Sequence, residues 1–598
     1  MTKQLMSGDQ AIARGAWEAG VVFAASYPGT PATEILESLA HYQDVKAQWA
    51  VNEKVAFDEA MGAAIAGVRA FAPMKHVGLN VAADSFMVFP YGGTNAGFVV
   101  LSADDPGTHS SQNEQDNRYF AKFGKVPLLE PSDTQEAKDF VKLAFDLSEQ
   151  FESPVMIRVT LRLAHTKGMV ELGERKTYQK KPFVKDNLKW VVPPFAKAHR
   201  GPLENKLHAL EQFSETFAEN KIEKGTGKVE YGVITSGVIY QYAREVLPDP
   251  DFLKLGMTFP PPKKMIMDFC ARFPKVYIIE ESEPFLEEQI RYWGVRNIVG
   301  KEVFTNMGEL LPELIDQQMS GHIAPSDFSK EIGIPVRPPM LCIGCPHRGT
   351  FTALNRIKGI TVNGDIGCYT LGGLPPYNTM NTSFEMGGSI AHAFGFESAG
   401  EPRAVAIIGD STFLHSGIPP LLDAVYNNGK TTVVIMDNAT TGMTGQENHP
   451  GTGKDIHGKA VTKRVNYEEL CRALGVGFIK HASAFNPGEV EAAVREAIKW
   501  DGPSVVISEG PCVLIPESKA APKVAFTVVA EECIACGLCF HTGCQAILES
   551  AETYRASEHQ KARPKAIIDP AVCVCCTLCA TVCPPECIMR VDGKPWGA

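Results

Sequence analysis

One pattern of apolar and polar positions recurs through most of this chain. Short apolar runs, five or six residues long, are each followed by a stretch in which apolar residues recur with helical spacing. The clearest runs are residues 98–103, 154–159, 231–236, 276–281, 404–408, 432–436 and 504–508. Strands that alternate with helices form parallel sheets covered by helices on both faces. The pattern therefore predicts an α/β fold.

The 598 residues exceed what a single hydrophobic core supports, so we expect several domains. Changes in pattern and composition mark their boundaries. Residues 176–228 are rich in Lys, Glu and Pro and are typical of an exposed connector, whereas residues 316–339 have the character of a linker. The predicted segments are an α/β domain over 1–175, the connector 176–228, α/β domains over 229–335 and 336–522, and a cysteine-rich tail over 523–598.

Composition narrows the functional classes. Apolar residues make up 44% and charged residues 21% of the chain, which is ordinary for a globular protein. The net charge of −11 argues against nucleic acid or an anionic membrane as a partner. The first ten residues lack the apolar run of a signal peptide, and no run of apolar residues is long enough for a spanning helix. We therefore expect a cytoplasmic protein in a reducing compartment.

Ten of the sixteen cysteines lie between residue 533 and the end of the chain. Eight of them form two runs, each with three cysteines spaced three residues apart and a fourth cysteine four or five residues further on. Thiolates hold iron–sulfur clusters, and in the bacterial ferredoxin pattern the fourth cysteine of each run binds the other cluster. Zinc and disulfides are the alternatives, but triple runs fit them poorly. We predict one [4Fe–4S] cluster on the first tail set, Cys533, Cys536, Cys539 and Cys583. A second is predicted on the second tail set, Cys573, Cys576, Cys579 and Cys544, with Cys575 and Cys587 as free thiols.

Polar residues follow two neighbouring strands of the fourth segment. The strand 404–408 ends in Gly409, Asp410 and Ser411, and the strand 432–436 ends near Asn438 and Thr440. Since ligands of parallel sheets bind at the carboxyl ends of strands, these loops are expected to meet. Asp410, the Asn438 amide oxygen and the Thr440 carbonyl suit Mg²⁺, and Gly442 adds an N–H for anionic oxygens. On its own, the Gly409–Asp410 pair would equally fit a tight turn that caps a helix.

Several longer strings carry a resemblance. They are residues 27–34 (YPGTPATE), 75–80 (KHVGLN), 109–116 (HSSQNEQD), 342–348 (CIGCPHR) and 409–418 (GDSTFLHSGI). With the tail, they resemble the α subunits of the indolepyruvate branch of the 2-oxoacid:ferredoxin oxidoreductase family, in order and over essentially the whole chain. The thiamine diphosphate motif usually written GDG…NN is looser here, because Ser411 replaces its third Gly and Asp437 its first Asn. The resemblance implies thiamine-diphosphate-binding parallel-sheet domains followed by a two-cluster ferredoxin-like α+β domain.

The resemblance also implies roles for residues of the first segment. Glu53, fourteen residues before Gly67, matches the carboxylate that activates the aminopyrimidine of thiamine, with Glu59 as a competitor. Thr30 matches a substrate-contacting Thr, although it would equally serve as the N-cap of the next helix. Four side chains are expected in active-site loops, where a structural role is as plausible: His76, Asn80, His109 and Gln112.

In the fourth segment, His415 is expected beside the diphosphate loop and Arg348 facing a substrate carboxylate or a coenzyme A phosphate. Four cysteines resemble the ligands of a further cluster found in related enzymes. This internal set is Cys342, Cys345, Cys368 and Cys512. The indolepyruvate branch itself is expected to have only the two tail clusters, and buried cysteines are also common as packing residues, so both interpretations stay open.

The implied reaction is oxidative decarboxylation of an aryl 2-oxoacid, indolepyruvate first, to an acyl-coenzyme A and CO₂. Electrons leave one at a time through the clusters to ferredoxin, and the reverse, carboxylating direction is chemically open. Related complete enzymes carry a further γ-type domain, so we expect a smaller β subunit and an α2β2 assembly. Two alternatives remain: a non-redox thiamine-dependent decarboxylase, and an electron-transfer subunit that binds no substrate.

Overall fold

The computed structural model describes residues 2–321, 333–335, 338–401, 403–521 and 523–593. Part of the predicted linker 316–339 and the last residues of the tail lie outside this description. The chain divides into two compact units, Met1–Pro335 and Val336–Ala598, and each is described by itself.

The first unit contains a seven-stranded sheet. Its strands, in spatial order, are Met257–Phe259, Leu128–Leu129, Val155–Thr160, Phe98–Asp104, Ala70–Lys75, Phe23–Ser26 and Lys46–Trp49. All pair in parallel except Met257–Phe259, which is antiparallel to its neighbour. The central strands are buried along their whole length, as their near-continuous apolar sequences require. Because the strands are parallel, the loops after them share one edge of the sheet.

A second sheet of the same unit has five strands. They are Ile298–Val299, Lys275–Ile279, Tyr231–Ser236, Asp251–Leu255 and the antiparallel Lys221–Glu223. A two-stranded antiparallel ribbon pairs Lys3–Ser7 with Lys167–Glu171. Residues 176–228, predicted as a connector with helical parts, contain the long helix Val192–Ser214 and the edge strand Lys221–Glu223.

Helices surround these sheets. In the described part of the first unit they are Gly8–Glu18, Thr33–Ala40, Glu53–Ile65, His76–Val81, Ala83–Gly92, Arg118–Gly124, Thr134–Phe151, Leu161–His165, Asn187–Trp190, Val192–Ser214, Gly237–Val246, Lys263–Cys270, Phe285–Tyr292 and Pro312–Ser320.

The second unit is built on a five-stranded parallel sheet. Its strands, in spatial order, are Thr361–Asn363, Ala404–Gly409, Thr432–Asp437, Ser504–Glu509 and Phe478–Ser483. The α-helices described in this unit are His347–Leu354, Ser389–Ser398, Asp410–Thr412, Ile418–Tyr426, Tyr467–Ala473, Pro487–Ala497, Pro516–Ala520 and Leu578–Thr581. Two 3₁₀ turns, Cys368–Gly373 and Phe540–Thr542, and a π-helical turn, Phe413–Gly417, complete the list.

The tail adds two small antiparallel ribbons to the second unit. Phe526–Val528 pairs with Ile588–Arg590, and Ile547–Tyr554 pairs with Arg563–Ile568. The predicted α/β class with several parallel sheets and a small α+β tail is confirmed. Among the described helices, none combines the length and the apolar character needed to cross a bilayer.

Candidate functional site

Glu53 opens the helix Glu53–Ile65 in the first unit. Asn52 caps this helix, because its Oδ1 accepts the Val55 N–H at 2.9 Å. The Glu53 side chain is buried, with 6% of its surface exposed, and lies against the backbone of Gly78. A Cβ at position 78 would come within 2.7 Å of the Glu53 Cγ and Oε1 atoms. Only glycine therefore leaves room for the carboxyl group in its present position.

Other predicted residues gather at the carboxyl edge of the first sheet. Lys75, the last residue of its strand, donates from Nζ to the Ser110 carbonyl at 2.5 Å. The Ser110 hydroxyl lies 3.4 Å from the Thr30 carbonyl. Burial lowers the pKa of Lys75 to about 8, although Asp105 and Glu53 oppose that shift. Thr30, Glu53 and the 109–111 loop are thus brought together around a lysine to which the sequence assigned no role.

His76 and Asn80 lie on the short helix that follows this lysine. His76 is fully buried, its Nε2 lies 3.3 Å from the Asn113 carbonyl, and burial lowers its pKa. The amides of Asn80 and Gln115 exchange hydrogen bonds of 3.0 and 2.6 Å. His109 lies 3.0 Å from Glu309 through Nε2, and Gln112 is exposed. The helix of His76 and Asn80 is therefore hydrogen-bonded to the loop at Asn113 and Gln115, whereas His109 pairs with Glu309.

A buried ion network fixes the loop that carries His109 and Gln112. Arg118 is 1% exposed, grips the Asp116 carboxylate with Nε and Nη2, and reaches Glu280 with Nη1 at 2.8 Å. Arg158 donates to Asp104 at 2.6 Å. Burial raises the pKa of the neighbouring Glu281 to about 7. Charges this deeply buried need complete pairing, so the network ties the loop after strand Phe98–Asp104 to the strand Lys275–Ile279.

In the second unit, Asp410 and Asn438 follow two hydrogen-bonded strands. Asp410 is 2% exposed, and its Oδ1 accepts the Ser411 N–H at 2.9 Å. Its Oδ2 is buried without a hydrogen-bond partner, 3.3 Å from Nε2 of His449. The buried Asn438 places its Nδ2 3.3 Å from Nε2 of His347. The structure thus brings two of the three predicted Mg²⁺ ligands, Asp410 and Asn438, to one edge of the sheet.

The charges at this edge suit a hard cation. Burial, followed by the adjacent Asp410, raises the pKa of Asp437 to about 7. Burial would raise the pKa of Asp410 as well, but His449 holds it below its usual value. Burial lowers the pKa of His347 to about 4. Two neighbouring carboxyls and an amide oxygen form an oxygen donor set of the kind that Mg²⁺ takes.

The loop after Asn438 supplies further backbone groups. The Thr440 N–H donates to the Asn438 Oδ1 at 3.1 Å, and the Thr441 hydroxyl donates to Ser411 at 2.9 Å. Gly442 lies beside both the Asn438 amide and the Cys368 sulfur, at 3.4 and 3.5 Å from where its Cβ would be. The predicted residues Ser411, Thr440 and Gly442 therefore surround the same strand ends.

His415 lies one turn after Asp410, inside the π-helical turn Phe413–Gly417. It is buried and its Nδ1 lies 2.5 Å from the Ser416 hydroxyl. Single π turns inside helices are frequently found at functional sites. His347, His449 and Asp437 were not assigned roles from the sequence, although His347 is part of the quoted string 342–348.

Two cavities in the tail are lined by the two predicted sets of cysteines. All four residues of the first tail set line one cavity, together with Cys587. The four of the second tail set line another, together with Cys575. The fourth cysteine of each run therefore lies with the other run, as the ferredoxin spacing predicts. Cys587 lies 3.5 Å from Cys583, sulfur to sulfur.

The internal cysteines are also close to one another. Burial, followed by the nearby Cys512 and Cys342 thiols, raises the pKa of Cys368 to about 12. The pKa of Cys345 is raised by burial and also by Cys368 and Cys342. The Cys512 N–H donates to the Asn438 carbonyl at 2.9 Å. The internal set thus lies next to the Asp410–Asn438 edge.

Arg348 does not occupy the position expected of a substrate ligand. Its guanidinium is buried, and the acceptors of its five N–H groups all belong to the protein. They are the Leu341, Cys342 and Thr542 carbonyls, the Tyr377 hydroxyl and the Gln545 amide. With no donor left over, Arg348 fastens the tail to the loop of Cys342 and Cys345. The expectation that it faces a carboxylate or a coenzyme A phosphate is not supported by this geometry.

Two family profiles match the chain. Residues 14–224 match "Pyruvate flavodoxin/ferredoxin oxidoreductase, thiamine diP-bdg", and residues 365–508 match "Thiamine pyrophosphate enzyme, C-terminal TPP binding domain".

Among relatives, the indolepyruvate oxidoreductase subunit IorA of Archaeoglobus fulgidus is 38% identical over 98% of this chain and 97% of its own length. That of Pyrococcus horikoshii is also 38% identical, over 97% and 96%. A solved 2-oxoglutarate:ferredoxin oxidoreductase from Magnetococcus marinus matches 53% of this chain and 65% of its own, with 18% identity and a TM-score of 0.45.

Proposed function

Because the chain belongs to the family of indolepyruvate oxidoreductase subunits IorA, we propose that it oxidatively decarboxylates aryl 2-oxoacids. Indolepyruvate is the first candidate substrate, and the products are an aryl-acetyl-coenzyme A and CO₂. The domains matched by the two thiamine profiles make this a thiamine-diphosphate-dependent 2-oxoacid oxidoreductase. The aryl substrate, the clusters and the residue roles are the part that is proposed.

The observation that carries the proposal is a continuous series of cysteines in the second unit. Cys368 lies beside Gly442 at the Asp410–Asn438 edge. The loop of Cys342 and Cys345 lines the second tail cavity through Ile343 and Gly344. From there, the second tail set and the first tail set follow within the tail. An enzyme that merely released CO₂ would have no use for such a series, whereas stepwise electron transfer requires one.

In this proposal Asp410, Asn438 and the Thr440 carbonyl would hold Mg²⁺, which would in turn bind the diphosphate. Ser411 and Gly442 border the diphosphate, and the positions of the neutral His347 and the buried His415 favour contacts with it. When bound, thiamine diphosphate supplies an electron sink for the decarboxylation. Glu53 holds a proton at the aminopyrimidine, and its burial against Gly78 fixes that position. Thr30 is the proposed substrate contact, and His109 is proposed to belong to an active-site loop of the first unit.

Two [4Fe–4S] clusters are proposed on the two tail sets. The approach of all four internal thiols favours a third cluster on the internal set over a packing role. Ferredoxin is the proposed external acceptor, since potentials near −400 mV are typical of plant-type ferredoxins. Because the relatives are named as subunits, we propose a smaller β subunit with the γ-type domain and an α2β2 assembly, with coenzyme A as acyl acceptor.

The test is reconstitution of the chain with its partner subunit, iron and thiamine diphosphate. Reduction of a viologen dye that depends on indolepyruvate and coenzyme A is expected, with aryl-acetyl-coenzyme A as product. Aldehyde release without dye reduction would instead identify a non-redox decarboxylase. Unchanged electron transfer but no turnover of any 2-oxoacid would identify an electron-transfer subunit.

Two variants sharpen this test. Glu53→Gln should reduce turnover to a small residual rate, while iron content and dye reduction by chemically reduced protein stay normal. The matched control is Glu59→Gln, which alters the competing carboxylate, 2.8 Å from Gln48. If Glu59→Gln rather than Glu53→Gln abolished turnover, the assignment of the activating carboxylate would be wrong. A panel of aryl, branched and short 2-oxoacids then defines the substrate.

A further inference from the structure

Asp9 is a carboxyl group of the first unit that is buried without hydrogen-bond partners. It lies in the first turn of the helix Gly8–Glu18 and is 1% exposed. Both of its carboxyl oxygens are buried without a hydrogen-bond partner. Leaving such a group unpaired is costly, so a buried carboxyl in this state calls for a ligand or a proton.

Two further ligand groups converge on Asp9. Glu34 belongs to the first turn of the helix Thr33–Ala40, and His165 ends the short helix Leu161–His165. One ligand atom from each of the three residues lies within 4.8 Å of the other two. Three basic side chains around the helix Gly8–Glu18 pair with Glu18 instead: Arg14, Lys138 and Lys142.

The backbone fixes this convergence. The Gly8 N–H donates to the Thr166 carbonyl at 3.0 Å, next to His165. A Cβ at Gly8 would lie 1.9 Å from the Leu163 carbonyl oxygen, so only glycine permits this approach. Asp9 and His165 are therefore held side by side by the fold itself, and Glu34 reaches them from a third helix.

We propose that Asp9, Glu34 and His165 bind a divalent transition-metal ion of the Zn²⁺ class. Two carboxylates and one imidazole are ligands that Zn²⁺ accepts at about 2.0–2.2 Å, and small side-chain rotations bring the three atoms to that distance. Glu34 and His165 are exposed, so ions enter from solvent and water completes the coordination.

The ion would join the helix Thr33–Ala40, which follows the Thr30 turn, to the helices Gly8–Glu18 and Leu161–His165. Glu34 lies four residues after Thr30, and Gly29 in the same turn donates to the Thr33 hydroxyl at 3.0 Å. The ion would therefore stabilise this turn through the helix that follows it. Its role is structural, and the inference does not depend on the proposed reaction.

The alternative is that the two carboxyls share a proton. Burial and the neighbouring Glu34 raise the pKa of Asp9 well above its usual value, as expected for metal-free protein. A shared proton and a metal ion predict opposite responses to added zinc, which makes them separable.

The experiment titrates Zn²⁺ into the iron-replete full chain, loaded with Mg²⁺ and thiamine diphosphate, and measures bound zinc and the Tm. Wild type should bind one more zinc ion than Glu34→Gln or His165→Gln, and zinc should raise its Tm. Loss of one ligand should weaken this binding by about 100-fold or more, at least the cost of losing an outer-shell partner. The matched control, Glu37→Gln, changes an exposed acid one turn further along the same helix and should bind zinc like wild type.

The variant Asp9→Asn tests whether a loss of zinc binding could be due to misfolding. It removes the repulsion between carboxyls, so the zinc-free variant should melt no lower than wild type yet lose the zinc-dependent rise in Tm. Zinc at the tail thiols would be equal in all variants and would cancel from the comparison. Equal zinc binding by wild type, Glu34→Gln and His165→Gln, or a wild-type Tm unaffected by zinc, would overturn the proposal.

Discussion

Substituting Gly78 tests the position of Glu53 without touching its carboxyl group. In Gly78→Ala the new Cβ would lie 2.7 Å from both Cγ and Oε1 of Glu53. An ordinary contact begins near 3.4 Å, so the carboxyl must retreat by about 0.7 Å. The side chain can swing, and Gly78 lies in a helix, so stability should change little.

The effect on turnover should be much larger. A misplacement of about 1 Å at a catalytic group can cost about 10²-fold. We therefore expect Gly78→Ala to lower kcat by about 10²-fold, or about 2.7 kcal/mol of transition-state stabilisation. The assay is dye reduction by the reconstituted enzyme with indolepyruvate and coenzyme A, alongside the Tm and thiamine diphosphate content.

Gly62→Ala is the matched control. Gly62 is an exposed position of the helix that Glu53 opens, and a Cβ there would meet nothing within 4 Å. This variant should keep full activity and gain up to about 1 kcal/mol of stability. In a Glu53→Gln background, Gly78→Ala should cost almost nothing more, because both changes act on one group. Full turnover by Gly78→Ala, or fully additive losses in the double variant, would refute the reasoning.

Three further predictions concern the tail and the buried charges. The double variant Cys536→Ser/Cys583→Ser should lose no more iron than either single variant, because both residues belong to one proposed cluster. The double variant Cys544→Ser/Cys583→Ser should lose both clusters. Iron analysis and EPR measure these losses, and the opposite result would contradict the proposed grouping of the cysteines. Arg348→Met leaves buried carbonyls without a hydrogen-bond donor, at a cost of about 1–3 kcal/mol each, so the tail should become sensitive to proteases. A protease-resistant tail combined with a raised KM would instead support Arg348 as a substrate ligand. The folded pKa of Glu281, about 7 against an ordinary 4.5, makes it stabilising below pH 4.5 and progressively less so up to pH 7. Glu281→Gln should therefore raise the free energy of unfolding at pH 8, by up to about 3 kcal/mol at 1.36 kcal/mol per pKa unit, but not at pH 5. The Tm of variant and wild type at the two pH values measures this, and a pH-independent difference would contradict it.

The features that the sequence predicted well depend on local pattern. Fully buried parallel strands are apolar along their whole length, so runs such as 98–103 and 432–436 are visible without a structure. Parallel strands also share a carboxyl edge, so placing Asp410 beside Asn438 needs only the strand ends. The crossing of Cys544 and Cys583 between the tail cavities follows from spacing alone.

The features that the sequence missed depend on contacts between distant segments. His347 lies 91 residues from Asn438, and neither its burial nor its contact has a periodic signature. His449 reaches Asp410 from the loop after the next strand for the same reason. Arg348 was assigned to a substrate because a lone arginine in a loop suggests an anion. Its five acceptors lie partly in the tail, almost 200 residues away, and no local pattern marks them.

Arg348 also holds the tail against the thiamine-type domain. Electron transfer between the proposed clusters would require fixed, short separations, which a flexible tether would not provide. The guanidinium joins the Cys342 carbonyl to the Thr542 carbonyl, between Cys539 and Cys544. A Cβ at Gly344 would lie only 2.2 Å from Val574, so the internal loop and the second tail run are in direct contact. The same buried arginine that is unsuited to bind substrate is therefore well placed to hold successive cysteine sets in register.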